Sequence, residues 1–450
     1  MTRARAALLL GLLPLVLAAI VVRAEGPLYV GGPANVPGQP VANSVEGLPF
    51  RWDPTQFPLT YWTDQGSLGT LTKAQADALV QQAFQAWQDV PTASISFSKA
   101  GDLGANVTAS NILSVQDALY NCSTLPGPPA GGIPQPRTII YDNSLGSILI
   151  ALGEDPNSTL GFADALCLSS DGVNNFFNRG YAVMNGKNLN VTELKAVMIH
   201  EFGHMIGLDH SQINVECAGF FGCSSDADAL AGLPTMFPIL ADALAMSTPA
   251  TDDTAGLSEL YPETANNPPN QVPYLATTGR ISGRILFSDG VTPAQGFNVV
   301  VRQVDNPATP KDESLTTAVS NISGYLFTAD AGNALVQASG LTPSPFGSRD
   351  QTLIGLFNIP GLPPGNYTVE VEALDDTFVG GSGAGPIGIL GFQFPMPGSC
   401  ATELWNNTES ANELCDTSTP ITVTAGSTTT GINIILNGTP PRYDAWEDGP

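Results

Sequence analysis

Three histidines stand in one short run, His200-Glu201-Phe202-Gly203-His204-Met205-Ile206-Gly207-Leu208-Asp209-His210, and they are the only 3 histidines in 450 residues. The run fits H-E-x-x-H-x-x-G-x-x-H. Residues four apart on an α-helix are separated by about 400°, so His200 and His204 fall within about 40° of each other. Both imidazoles can therefore reach one metal ion. Glu201 lies beside the first ligand, on the side from which a water would approach, where it can act as a base without being a ligand. Gly207 can take the left-handed conformation that ends a helix at little cost, and the turn brings His210 back as a third ligand. Three imidazoles on one ion leave a fourth position open, the arrangement of a catalytic rather than a closed structural zinc. The plainer reading, ordinary helix histidines or a structural metal site, leaves the matched glutamate and glycine to chance.

This chemistry requires a helix that presents His200 and His204. Asn190 can cap its start, with Glu193 three residues on, and Leu194, Val197, Met198, Phe202 and Met205 supply a buried face. An earlier amphipathic helix is marked by Ala76, Leu79, Val80, Ala83, Phe84 and Trp87, at i, i+3, i+4, i+7, i+8 and i+11. Thr72 with Gln75 resembles its capping box. Residues 59–62, 94–97, 138–141 and 181–184 read as strands. Beyond residue 279 the strong signals are β-type, at 281–287, 297–303, 325–328, 367–374 and 432–436. In the fourth of these, Tyr367, Val369 and Val371 alternate with Thr368, Glu370 and Glu372. The expected organisation is a signal peptide over 1–24, an extended lead-in over 25–47, a first folded unit over 48–262, a linker over 263–278, a β-sandwich over 279–438 and a polar tail over 439–450.

The chain is too long for one ordinary core. Lys+Arg total 16 and Asp+Glu 41, so the net charge of −25 argues against nucleic-acid binding, which needs basic patches to meet phosphates. It also disfavours attraction to anionic membrane surfaces. Charged residues are only 13%, against about 25% in a typical domain, and 47 glycines and 37 prolines mark a turn-rich chain. Arg3 and Arg5, the apolar run 6–22 and the small-residue pattern Val22-Arg23-Ala24 read as a secretory signal cut near Ala24, with no stable membrane anchor. Six cysteines in an exported chain point to disulfides; local pairing of Cys122 with Cys167, Cys217 with Cys223 and Cys400 with Cys415 is one of fifteen connectivities. Asn106, Asn157, Asn321 and Asn437 open glycosylation triplets, and so does Asn190, whose triplet goes unused if it caps the helix.

The eleven-position histidine motif resembles that of the metzincin metallopeptidases, and the residues around it resemble the matrixin branch. Ser211 follows the third histidine. Thr235-Met236-Phe237-Pro238 is similar to the Met-turn, and 252–262, from Asp252-Asp253 to Leu260-Tyr261-Pro262, is similar to the closing helix. The resemblance covers roughly residues 49–262. It implies an α+β catalytic domain, a mixed twisted sheet with long helices, holding one catalytic Zn²⁺ and hydrolysing protein or peptide substrates. It implies that Met236 lies beneath the metal and that Asp252 and Asp253 brace the Met-turn region. It also allows calcium, for which Asp164, Asp171 and Asn174 are candidate oxygen donors, although such residues in loops commonly form turns. The chain departs from the pattern in four places. No cysteine precedes Cys122 to act as a latency switch, and no histidine remains for a second zinc. The stretch 211–233 is long and carries Cys217 and Cys223, and Pro238-Ile239-Leu240 replaces Pro-x-Tyr. The C-terminal unit resembles carboxypeptidase-regulatory, prealbumin-like or Cna-B-like sandwiches at 281–285, 323–327 and 361–369.

Two functions of different class follow. One is a secreted zinc endopeptidase, with His200, His204 and His210 on the metal and Glu201 as general base. The other is an extracellular adhesion or scaffold protein whose metallopeptidase unit has lapsed and whose sandwich binds a surface or glycan. The intact Glu201 favours the first.

Overall fold

The computed structural model describes residues 27–28, 45, 48–122, 135–211, 213, 230, 232–265, 270–294, 296–304, 313–324, 355–373, 400 and 402–438. The signal run, nearly all of the lead-in, the tail, the strand expected at 325–328 and Cys217 and Cys223 lie outside them. The architecture is mixed α/β with several sheets, followed by a β-rich region.

The elements in order are β1 (Phe50–Trp52), β2 (Leu59–Thr63), α1 (Lys73–Gln88), β3 (Phe97–Asp102), α2 (Ile112–Tyr120), β4 (Arg137–Tyr141), α3 (Ser147–Leu152), β5 (Gly161–Leu166), β6 (Ser169–Ser170), β7 (Asn175–Phe177), β8 (Arg179–Met184), α4 (Val191–Ile206) and α5 (Thr251–Leu260). The β-rich region adds β9 (Gly279–Leu286), β10 (Phe297–Val304), β11 (Glu313–Ile322), β12 (Leu356–Leu362), β13 (Gly365–Ala373), β14 (Thr402–Leu404), β15 (Ile421–Val423), β16 (Thr428–Thr429) and β17 (Ile434–Ile435).

The main sheet runs β3-β2-β4-β8-β5, with β5 antiparallel and the other pairings parallel. Its central strands β4 and β8 are buried along their whole length, because helices cover both faces. Period-two alternation divides their side chains. Ile139, Tyr141, Ala182 and Met184 meet α1 and α4, whereas Ile140, Tyr181 and Val183 meet α2 and α3. The stripe of α1 lies against α4, where the Phe84 ring stacks on Phe202 with centroids 4.1 Å apart and on Phe97 at 4.4 Å. Three buried side chains also tie into the backbone of α4. Trp87 Nε1 donates to Ile199 O at 2.9 Å, Trp52 Nε1 to Met205 O at 2.9 Å and the Tyr261 hydroxyl to Ile206 O at 2.6 Å.

The β-rich region consists of two sheets around one core. One is β11-β10-β13-β14 with β15 on β13; the other is β12-β9-β16 with β17 on β9. Val299, Val301, Val369 and Val371 of the first meet Ile281, Ile285, Phe357 and Ile359 of the second. Two disulfides are formed, Cys122–Cys167 and Cys400–Cys415.

One expectation is corrected. Residues 94–96 are not a strand. Ser94 N–H donates to Tyr261 O and Ser96 O accepts from Leu59 N–H, so isolated bonds hold the segment and β3 starts only at Phe97. The stretch expected at 432–436 lies along β9: β17 forms the ladder, and Ile432 N–H donates to Ser282 O and Leu436 N–H to Leu286 O on either side of it. The connector, read as a linker, is pinned where it is described. Glu263 N–H donates to Thr92 O and Val272 N–H to Pro91 O, and Tyr274, in a helical turn at Tyr274–Thr277, is buried and donates to Glu259 at 3.0 Å. The two cores share α5, whose Leu257 and Leu260 face the first while Ala255 faces the second.

Replacing Phe84 by alanine should therefore cost about 3–5 kcal/mol, because it empties the space between α1, β3 and α4. Denaturant unfolding followed by circular dichroism measures this.

Candidate metal centre

The site is built on the C-terminal half of α4. At the start of the helix Asn190 Oδ1 accepts from the N–H groups of Thr192 and Glu193, and Glu193 Oε2 reaches back to Asn190 N–H at 2.7 Å. Asn190 is thus a cap. At the other end Gly207 has φ +105°, a conformation that strains any side chain, and an added Cβ would also press on the Phe177 ring at 2.8 Å. Leu28 N–H donates to Gly207 O at 2.7 Å and seals this turn.

The turn brings the third histidine to the first two. The Nε2 atoms of His200, His204 and His210 form a triangle with edges of 3.0, 3.1 and 3.2 Å. His200 Nδ1 lies 2.8 Å from Thr235 O, and His204 Nδ1 lies 2.9 Å from Leu208 O. A carbonyl oxygen only accepts, so each of these Nδ1 atoms carries the ring hydrogen and each Nε2 presents a lone pair. Burial pushes His200 down to about 4 and His204 down to about 3, so both are neutral at pH 7. Nitrogens held about 2.0–2.1 Å from a tetrahedral ion lie about 3.3 Å apart, close to these edges. The trio could hold a metal ion, and three imidazoles are a donor set that suits zinc.

Glu201 is 6% exposed, and its carboxylate has no hydrogen-bond partner among the described residues. Burial pushes it up to about 8; a cation on the neighbouring imidazoles would lower it again. Gly161, the first residue of β5, makes room for it, because an added Cβ would stand 3.0 Å from Glu201 Oε1. Gly203, between the two helical histidines, similarly leaves space that Met236 Sδ fills. Met236 is fully buried in the turn whose Thr235 carbonyl orients His200. Gly161 and Gly203 escape sequence reasoning, since their value lies in neighbours remote in the chain.

The two aspartates divide their work. Asp253 accepts from the backbone N–H groups of Thr235 (2.8 Å), Met236 (2.9 Å) and Ala250 (2.6 Å), so it braces the turn directly. Asp252 reaches that turn only through Ser211, whose hydroxyl donates to it at 2.6 Å and whose N–H donates to Met236 O. Its other oxygen accepts Ser320 N–H of β11 at 2.9 Å. Burial raises Asp252 well above the usual carboxylate range, and the charge of Asp253 adds to this against the Ser320 N–H, which lowers it.

The candidate calcium donors are engaged in local structure. Asp171 Oδ1 accepts from Val173 and Asn174 N–H and shapes its own turn, Asn174 Oδ1 accepts from Arg51 at 3.3 Å, and Asp164 lies within β5. A cavity of about 380 Å³ opens elsewhere, between α5, β1 and β11, with Arg51, Asp252 and Glu259 in its wall. No protein-family model matches the chain, and no curated protein matches it.

Removing the Asp253 carboxylate by alanine should loosen the Thr235 carbonyl behind His200. Stability should fall by on the order of 3 kcal/mol, and zinc affinity by about 10–100-fold. Competition with a chromogenic chelator measures the affinity, and an unchanged value would disconnect this turn from the metal site.

Proposed function

We propose that the chain is a secreted zinc endopeptidase of the metzincin kind, resembling its matrixin branch, with a C-terminal β-sandwich. The observation that carries this reading is the convergence of three Nε2 atoms beside a buried glutamate that has no hydrogen-bond partner among the described residues. His200, His204 and His210 would hold the ion. When bound, zinc supplies Lewis acidity, which polarises a carbonyl and makes water a nucleophile near neutral pH.

The chain's own residues account for positioning and proton transfer. β5 pairs with β8 on one side and with no strand on the other among the described residues. An extended peptide can add to that free edge by backbone hydrogen bonds, and Gly161 places its start directly against the Glu201 carboxylate. Water adds to the carbonyl carbon of the bond to be cut while Glu201 takes one of its protons. Glu201 then delivers that proton to the amide nitrogen as the C–N bond breaks; the second water proton passes from the new carboxyl to the amine, leaving a carboxylate and an ammonium group. Gly207 and the Thr235–Met236 turn keep the three imidazoles aimed at one point while this happens. Export is supported by the signal-like N-terminus and by the two disulfides, and among the described residues no helix is long and apolar enough to cross a membrane.

Glu201→Ala should retain zinc and lose about 10²–10⁴-fold in kcat/KM on a general protein substrate. Metal analysis and zymography of the same preparation test both halves, and cleavage at the unaltered rate would sink the assignment. A chelator should abolish the activity of the unaltered chain.

A further inference from the structure

The β-rich region holds a second group of metal-capable side chains, far along the chain from the histidines. Glu403 lies on β14, and Glu409 and Glu413 follow in the loop that leads to β15. One carboxylate oxygen from each falls within 4.8 Å of the others. Glu403 is completely buried: its Oε2 accepts Asn437 N–H at 2.8 Å, and its Oε1 is buried with no partner among the described residues. Glu413 repeats the pattern, with Oε2 accepting Ser410 N–H at 3.0 Å and Oε1 buried and unpartnered. Glu409 accepts Asn406 N–H at 2.9 Å and Ile435 N–H at 3.0 Å.

Burying an ionised carboxylate without a counter-charge costs several kcal/mol. Among the described residues no basic side chain acts on Glu403 or Glu409, and the sequence has no Lys, Arg or His between Arg349 and Arg442. Two remedies remain, protons or a cation. Burial raises Glu403 and Glu409 to about 7, and the neighbouring glutamates add to the shift. The backbone, however, is arranged for the ionised form, since four N–H groups donate to these three carboxylates and such bonds favour the charge. Glu403 Oε1 and Glu413 Oε1 are both buried, and no donor among the described residues serves either.

We propose that Glu403, Glu409 and Glu413 bind a calcium ion that staples the β14–β15 loop to the C-terminal strand segment. The donors are all hard oxygens, while the nearby Cys400 and Cys415 are spent in a disulfide, which excludes the thiolate and imidazole sets that select zinc or copper. Calcium bonds oxygen at about 2.3–2.6 Å and accepts irregular shells completed by water, so it can bridge oxygens up to about 5 Å apart. Asn437 organises the pocket. Its N–H holds Glu403, its Oδ1 accepts Glu413 N–H at 3.0 Å and its Nδ2 donates to Glu413 O at 2.8 Å. Asn437 is 1% exposed, so its glycosylation triplet is used inward. The ion would join β14, the loop and β17 into one unit, independently of the histidine site.

The test uses the full chain, freed of divalent ions, resaturated with zinc and titrated with calcium chloride by calorimetry and thermal unfolding. One calcium should bind per chain, and Tm should rise by on the order of 5 °C once calcium is about 100-fold above Kd. Glu403→Gln removes a buried charge while keeping the shape. It should unfold in chelator at or above the temperature of the unaltered chain, yet gain nothing from calcium. Glu413→Gln, at a less buried position, should behave alike and guards against a folding failure of the first variant. The proposal is overturned if calcium neither binds nor raises Tm, or if both variants respond as the unaltered chain does. It is equally overturned if Tm in chelator climbs as pH falls from 8 to 6 with calcium inert, since the carboxyls then hold protons.

Discussion

Three imidazole nitrogens packed at one point crowd one another, and a protein can hold them so only if the rest of the fold forbids their escape. Here the restraint comes from carbonyl oxygens. Thr235 O and Leu208 O fix the far nitrogens of His200 and His204, and with them the tautomer and the direction of each ring. Those carbonyls are held in turn. Leu208 follows the left-handed Gly207, and Thr235 is clasped by the Asp253 carboxylate and by its own hydroxyl, which donates to Met246 O and Thr248 O. The helix beneath is fixed by Trp52, Trp87 and Tyr261, from three separate parts of the chain. The α/β core is thus a frame that keeps a polar arrangement from relaxing.

The second constraint is electrostatic and lies in α5. Asp252 and Asp253 are adjacent, buried and of like charge. Successive residues on a helix point about 100° apart, so the pair faces two directions: Asp253 toward the Met236 turn and Asp252 toward Ser211 and β11. Backbone and hydroxyl donors serve both carboxyls, and the charge of Arg302 also favours the ionised form of Asp252.

Much of this was legible in the sequence where the interaction is local. The spacing of His200, His204 and His210, the Asn190–Glu193 cap and the stripe from Ala76 to Trp87 all follow from helical geometry and stand as expected in the structure. Strands β4 and β8 were legible because buried apolar runs leave few alternatives. What was not legible is what depends on partners distant in sequence. The alternation of 94–97 read as a strand although its only backbone bonds run to Tyr261 and Leu59. The Pro- and Asn-rich composition of the connector says nothing of Pro91 and Thr92, on which it docks. The glutamate group stayed hidden because Glu403 meets Asn437 at a sequence separation of 34, and three acids in a polar loop ordinarily signal nothing but solvent.

The sharing of α5 between two cores bears on how such a chain can be cut and recombined. Ala255 packs at Gly361, where an added Cβ would collide with it, and Ser320 completes the shell of Asp252. The β-rich region is therefore not an interchangeable cassette. A foreign module grafted after Pro262 would strip the amide from a buried carboxylate one hydroxyl away from Ser211, the residue beside His210. Any lineage that exchanged the C-terminal half would have had to rebuild that contact, so the two halves are expected to have changed together rather than by shuffling.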